Sequence, residues 1–255
     1  MRTIVIGDIH GHVKSVEAAL NMPCNIVFVG DYLDSFHQSV DNQIQCLTMV
    51  MDAVELYPNR VVALFGNHER SYLEASMVCS GWKQETAQLV KHLKDRMLTT
   101  LKTWHWVGNY LITHAGIDQV LLDQLGQSVD EYLEAEAFNQ IGKARGGRAI
   151  SGGLYWNDFN LEMTPPNGLK QVVGHSYWRP KSGPFADVPG VRVKRSEDGT
   201  GEVWCVDNLG RKLEGLMIDG DDAYPHLLEA WLVEEVEFDE AEELYQKELD
   251  EEKGK

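Results

Sequence analysis

The chain has 255 residues, 43% of them apolar and 25% charged, with a formal net charge of −17. That apolar share is enough for a globular core, and the acidic balance excludes an extended nucleic-acid groove that works by neutralising phosphates. No run approaches the roughly 20 apolar residues of a membrane-spanning helix, and Met1-Arg2 lead straight into a strand-like run with no room for a signal peptide.

In chain order, residues 2–6 read as a strand, and Val13–Leu20 carries Val13, Val16, Ala19 and Leu20 at helical spacing. Asn25–Val29 is a second strand. Gln38–Leu56 follows as a helix with a stripe of Val40, Ile44, Leu47, Val50, Met51 and Val54, closed by Tyr57-Pro58-Asn59. Arg60–Phe65 is a third strand. A βαβαβ run of this kind implies parallel strands with right-handed crossovers. A helical insert over about residues 70–105 is broken at Cys79-Ser80-Gly81-Trp82.

Tyr110–Thr113 returns as a strand, residues 117–145 look helical, and glycine pairs with Pro165-Pro166 mark an irregular cap over about 140–170. Gln171–Val173 is another strand. Val191–Lys194, Val203–Val206 and Leu213–Ile218 are β-like and separated by turn residues, so an antiparallel second sheet is expected. These elements form one α/β domain over residues 1–225. Residues 226–255 read as an acidic C-terminal helix and tail, with Leu227, Leu228 and Trp231 docking it. From Glu229 to Lys255 there are twelve acidic residues and three lysines, which supply −9 of the −17. Cys24, Cys46, Cys79 and Cys205 lack CxxC spacing and read as reduced core thiols of a cytoplasmic protein.

Five apolar runs end in side chains that bind metals or move protons: Asp8 and His10, Asp31 and Asp34, Asn67 and His68, His114, and His175. In an open α/β sheet, the carboxyl ends of strands are where ligands bind. Carboxylates, imidazoles and an amide oxygen without cysteine suit borderline divalent cations such as Mn, Fe or Zn, with manganese foremost. A single Gly-Asp-x-His is more often a helix N-cap than a ligand, and one histidine more often a satisfied core residue. Five such endings in one chain point to one site instead.

These residues carry a resemblance. Gly7-Asp8-Ile9-His10-Gly11, Gly30-Asp31-Tyr32-Leu33-Asp34 and Gly66-Asn67-His68-Glu69 resemble the three signature motifs of the phosphoprotein phosphatase branch of the calcineurin-like metallophosphoesterases. His114-Ala115-Gly116, Gly153–Asp158 and Val173-Gly174-His175 resemble its later segments. The resemblance spans roughly residues 3–207. It implies a four-layer αββα sandwich of two mixed β-sheets flanked by helices. It also implies two divalent ions, one held by Asp8, His10 and Asp31 and the other by Asp31, Asn67, His114 and His175, with His68 and Asp34 as the catalytic acid–histidine pair.

The expected reaction is phosphomonoester hydrolysis by in-line attack of a metal-bridging hydroxide, with His68 as proton donor. Dinucleoside polyphosphates and cyclic or other phosphodiesters are the alternative substrates, and a non-catalytic metal-binding scaffold is the contrasting class. Ser35 stands where the family places an arginine that grips phosphate bidentately. Arg70 is the candidate replacement beside Asn67 on the phosphate, with Arg145 and Arg148 as others. Without a replacement, discrimination between monoesters and diesters should relax. Small-molecule, nucleotide or phosphoprotein phosphoesters are the expected partners.

Overall fold

The computed structural model describes residues 2–73, 79–134, 153–177, 190–207 and 214–228. Alternation along the first strand decides the layering. In β1 (Thr3–Ile6), Ile4 and Ile6 face one way and Val5 the other, as the two-residue period of a strand requires. Ile4 and Ile6 join the apolar cluster that includes Val16 and Ala19 of α1 (Val13–Leu20) and Leu47, Val50 and Met51 of α2 (Val40–Leu56). Val5 joins a separate cluster with Val27, Leu216, Tyr110, Ile112 and Val172, drawn from both sheets. Helices therefore cover the outer face of the first sheet while its inner face packs on the second. Each fully buried aliphatic side chain contributes about 1.5–3 kcal/mol.

The first sheet has the order β10-β9-β1-β2-β3, built from β1, β2 (Asn25–Phe28), β3 (Val61–Ala63), β9 (Glu214–Asp219) and β10 (Asp222–Leu227). β1, β2 and β3 are parallel, as the βαβαβ reading requires. The second sheet is β4 (Trp104–Val107), β5 (Tyr110–Thr113), β6 (Lys170–Val173), β8 (Glu202–Cys205) and β7 (Arg192–Arg195), in that order. It is mixed: β5, β6 and β8 are parallel, and antiparallel β4 and β7 form its edges.

The expected antiparallel second sheet needs correction. β9 leaves the second layer and pairs antiparallel with β1, with Ile4 opposite Met217. Its buried run Gly215–Ile218 completes the first sheet instead. β4 and β10 were not expected. The helical insert resolves into α3 (Asn67–Leu73), α4 (Gln84–Val90) and α5 (Lys94–Thr100). α6 (Gln119–Leu125) and α7 (Val129–Glu134) put Leu121, Leu122, Tyr132 and Leu133 in the same cluster as Leu111. The short α8 (Gly153–Trp156) follows. Residues 140–152 of the irregular cap, with Arg145 and Arg148, and the acidic tail from residue 229 lie outside the described residues. All four cysteines are buried and free.

Candidate metal centre

Every expected site residue follows a strand. β1 delivers Asp8 and His10, β2 delivers Asp31 and Asp34, β3 leads to Asn67 and His68, β5 to His114 and β6 to His175. The loops are tied to one another by their backbones. Asp31 O accepts N–H groups from Ile9 at 2.9 Å and His10 at 2.8 Å, and His114 O accepts that of Gly174 at 2.7 Å. His10, Asp31, Asp34 and His175 all have positive φ, from 42° to 66°. Side chains rarely adopt that conformation, and where it persists the surroundings must impose it.

The surroundings at Asp31 are provided by Glu69, which is fully buried in α3. Its Oε2 accepts the N–H of Asp31 at 2.8 Å and of Gly66 at 3.0 Å, and its Oε1 accepts those of Tyr32 at 2.8 Å and Leu33 at 3.1 Å. Burial and neighbouring Asp31 push the Glu69 carboxyl up to about 7, against the pull of His68 and of the Gly66 N–H. At Asp34 the brace is Gln43 of α2, whose Oε1 accepts the Asp34 N–H at 2.8 Å. Glycine is required where these loops touch. A Cβ on Gly66 would lie 2.0 Å from Asp31 Oδ1, and one on Gly174 2.2 Å from Asp8 Oδ1.

Among the described residues, two groups of side chains have the geometry to hold a cation, His10–Asp31–His68 and Asp31–His114–His175, with ligand atoms within 4.8 Å of one another in each. Asp31 belongs to both. Its Oδ2 lies 3.4 Å from His114 Nε2 and 3.8 Å from both His10 Nε2 and His68 Nε2. Asn67 Oδ1 lies 2.8 Å from His114 Nε2 and 3.0 Å from His175 Nδ1.

The Nδ1 atoms of His10 and His114 donate to the carbonyls of Leu33 at 2.7 Å and Val29 at 2.9 Å. That leaves each Nε2 lone pair turned inward, as in metal sites whose ligand histidines are oriented from behind. Lone pairs converging on Asp31 and Asn67 require protons or a cation between them, and the thiol-free donor set suits a divalent metal.

The electrostatics follow. Burial pushes the Asp31 carboxyl up, but His114, His68 and His10 outweigh it and hold the group well below the usual carboxylate range. Burial lowers His114 while Asp31 raises it, and the net direction is up. His10 is lowered, chiefly by burial. Burial likewise opposes the charged form of His68, but Asp31 and the hydrogen bond to Asp34 raise it to about 9. His68 Nδ1 lies 2.9 Å from Asp34 Oδ2.

Asp8 is placed differently from the other ligand candidates. Its Oδ2 is 4.0 Å from His10 Nε2, while its two oxygens accept the His175 N–H at 3.0 and 3.1 Å. Burial, with Asp207 and Asp31 nearby, raises its carboxyl.

Asp207, Glu69, Gln43 and Tyr72 belong to this neighbourhood and were not singled out from the sequence. Glu69 alone had a signal there, its place in the Gly-Asn-His-Glu motif. Ser35 Oγ accepts the N–H groups of His37 at 3.2 Å and Gln38 at 3.0 Å, so it shapes its own loop. Arg70 is half-buried, with its guanidinium 5.7 Å from the Phe65 ring centroid and 5.5 Å from that of Tyr155. Trp156 packs edge-on to His175 at 5.7 Å.

Residues 1–207 match the family model described as calcineurin-like phosphoesterase. The chain belongs to that family. Its members are metal-dependent hydrolases of phosphoric esters, typically with a pair of metal ions. The fold is also that of solved phosphatases. A cold-active protein-tyrosine phosphatase of a psychrophilic Shewanella species superposes with a TM-score of 0.55 at 15% identity, over 89% of this chain and 78% of that one. A protein serine/threonine phosphatase from Saccharomyces cerevisiae, similar to human phosphatase PP5, gives a TM-score of 0.52 at 15% identity, over 92% and 82%. No curated protein matches the sequence. Within this metallophosphoesterase, no helix of the described residues is long and apolar enough to cross a membrane.

Proposed function

We propose that this phosphoesterase hydrolyses phosphomonoesters at a pair of cation sites sharing Asp31. The observation that carries the reading is the membership of Asp31 in both ligand groups, with its carboxylate inside a ring of imidazoles. Asp8 and His10 would complete one site with Asp31, and Asn67, His114 and His175 the other. Manganese, iron or zinc suits these donors. Such ions would supply Lewis acidity, neutralising phosphoryl oxygens and acidifying water.

The remaining work falls to the chain. Glu69 and Gln43 hold the two aspartate loops so that Asp31 and Asp34 face inward. Asn67, and Arg70 beside it, are the residues proposed to meet phosphate oxygens. His68, hydrogen-bonded at Nδ1 to Asp34, presents Nε2 as the proton donor to the leaving oxygen. Asp34 keeps the imidazole in that orientation and favours its charged form. Neither a serine nor a thiol nucleophile is required, and the buried, free cysteines support a reducing, cytoplasmic setting.

The test is His68→Ala in metal-loaded protein. The expected result is unchanged metal content with kcat lowered by roughly 10²–10⁴. The loss should be larger on alkyl and phenyl phosphates than on p-nitrophenyl phosphate, whose leaving group needs little protonation. Equal losses on all of them would reject His68 as the donor, and an active protein without divalent metal would reject the whole reading.

A further inference from the structure

Asp34 is the orienting half of the histidine pair, yet the histidine takes only one of its oxygens. Oδ2 faces His68, and Oδ1 accepts a hydrogen bond from the phenol of Tyr72. Tyr72 lies near the end of α3, four residues after His68, so both side chains project toward Asp34 from one helix. The carboxylate between them is fully shielded from solvent.

The phenol is itself held. Its oxygen accepts the Lys83 backbone N–H at 3.2 Å, and its ring stacks on Trp82 with centroids 5.8 Å apart and planes 19° apart. Beside Trp82, Gly81 at φ 80° passes so close that a Cβ there would lie 3.0 Å from Asp34 O. The turn at 81–83 thus contacts both Tyr72 and Asp34. Burial and Asp34 both push the Tyr72 hydroxyl well up, so it stays a donor.

We propose that Tyr72 is a positioning residue for proton donation: it fixes the Asp34 carboxylate through Oδ1, so that Oδ2 holds the His68 ring toward the leaving oxygen. The inference rests on the reading of His68 as proton donor. With Oδ1 released, the carboxylate can rotate about its own axis, and the imidazole loses the bond that sets its direction. Substrate binding, which uses other groups, is left alone.

Tyr72→Phe removes the hydroxyl and keeps the stacked ring. On metal-saturated protein, kcat for phenyl phosphate should fall about ten- to hundredfold, the range for losing a hydrogen bond to a charged group. The fall on p-nitrophenyl phosphate should be several-fold smaller, and KM and metal content should stay at wild-type values. A double-mutant cycle with Asp34→Asn should be non-additive, because Tyr72 acts only through Asp34. The cycle compares variants with a shared background, so it also separates this role from a general loss of stability in Tyr72→Phe. Additive losses, or equal losses on both esters, would overturn the role of Tyr72 while His68→Ala still discriminates between the esters. If His68→Ala fails to discriminate, the proton-donor reading falls and this inference with it.

Discussion

Glu69 accepts the backbone N–H of Asp31 at 2.8 Å across 38 residues of chain, and three further backbone N–H groups share its two oxygens. The fourth letter of the Gly-Asn-His-Glu motif therefore builds the loop of the second motif. Glu69→Gln keeps the shape but turns an amide NH2 toward N–H donors. Glu69→Ala leaves buried donors unpaired at about 1–3 kcal/mol each. Both variants should lower the melting temperature, Ala more than Gln, and weaken cation binding. Thermal unfolding with a manganese titration checks this, and a wild-type profile for Glu69→Ala would reject it.

Asp31→Asn tests the shared ligand. It removes the charge common to both groups, so metal content should fall at both sites, and hydrolysis by at least about 10³-fold, as expected when Lewis-acid chemistry is lost. Metal analysis on the purified variant decides. Retention of two ions per chain would show that Asp31 is not the bridge.

Arg70 is stacked between Phe65 and Tyr155, not solvated on the surface. If its N–H edge also meets phosphate, Arg70→Ala should raise KM for p-nitrophenyl phosphate about tenfold while changing KM for the matched bis-ester little, since one hydrogen bond to a charged group is at stake. With Ser35 committed to its own loop, the wild-type preference for monoesters should itself be modest. An unchanged monoester KM in Arg70→Ala would reject the phosphate contact.

The legibility of this chain divides by the kind of contact. The strand ends carrying Asp8, Asp31, Asn67, His114 and His175 were readable because apolar runs and short motifs are local. Asn109 after Gly108, between β4 and β5, is a tight-turn signal that went unused, so Trp104–Val107 was not read as a strand. β10 contains Pro225, which argues against a central strand and fits the edge position it occupies. β9 was legible as a strand but not its sheet, because pairing depends on distant partners. Gln43, Tyr72 and Asp207 carry no periodic mark. Their relevance lies in partners such as the Asp34 backbone and carboxylate, which no spacing along the chain reveals.

The thiols give a solution check on the packing. Burial pushes Cys46 and Cys205 up to about 12, and raises Cys24 and Cys79 as well. A raised value means a neutral thiol at about pH 8, and only the thiolate is alkylated. Iodoacetamide should therefore label none of the four cysteines in the native protein and all four in urea, as counted by intact mass. Rapid labelling of native Cys46 would contradict its burial between α1, α2 and the first sheet.

The first sheet also has a consequence for how the molecule is made. β1 leads into Asp8 and His10, and one of its two neighbours, β9, begins only at Glu214, beyond the stretch that matches the family model. Thr3 opposes Ile218, so this side of β1 remains an open edge until a strand more than two hundred residues later has been made. Pairing across such a separation is slow because the loop must close before any contact rewards it. A nascent chain halted near residue 207 would hold every residue proposed as a ligand and still lack the strand that seals β1. Sealing of the strand that leads into the centre is thereby tied to synthesis of β9.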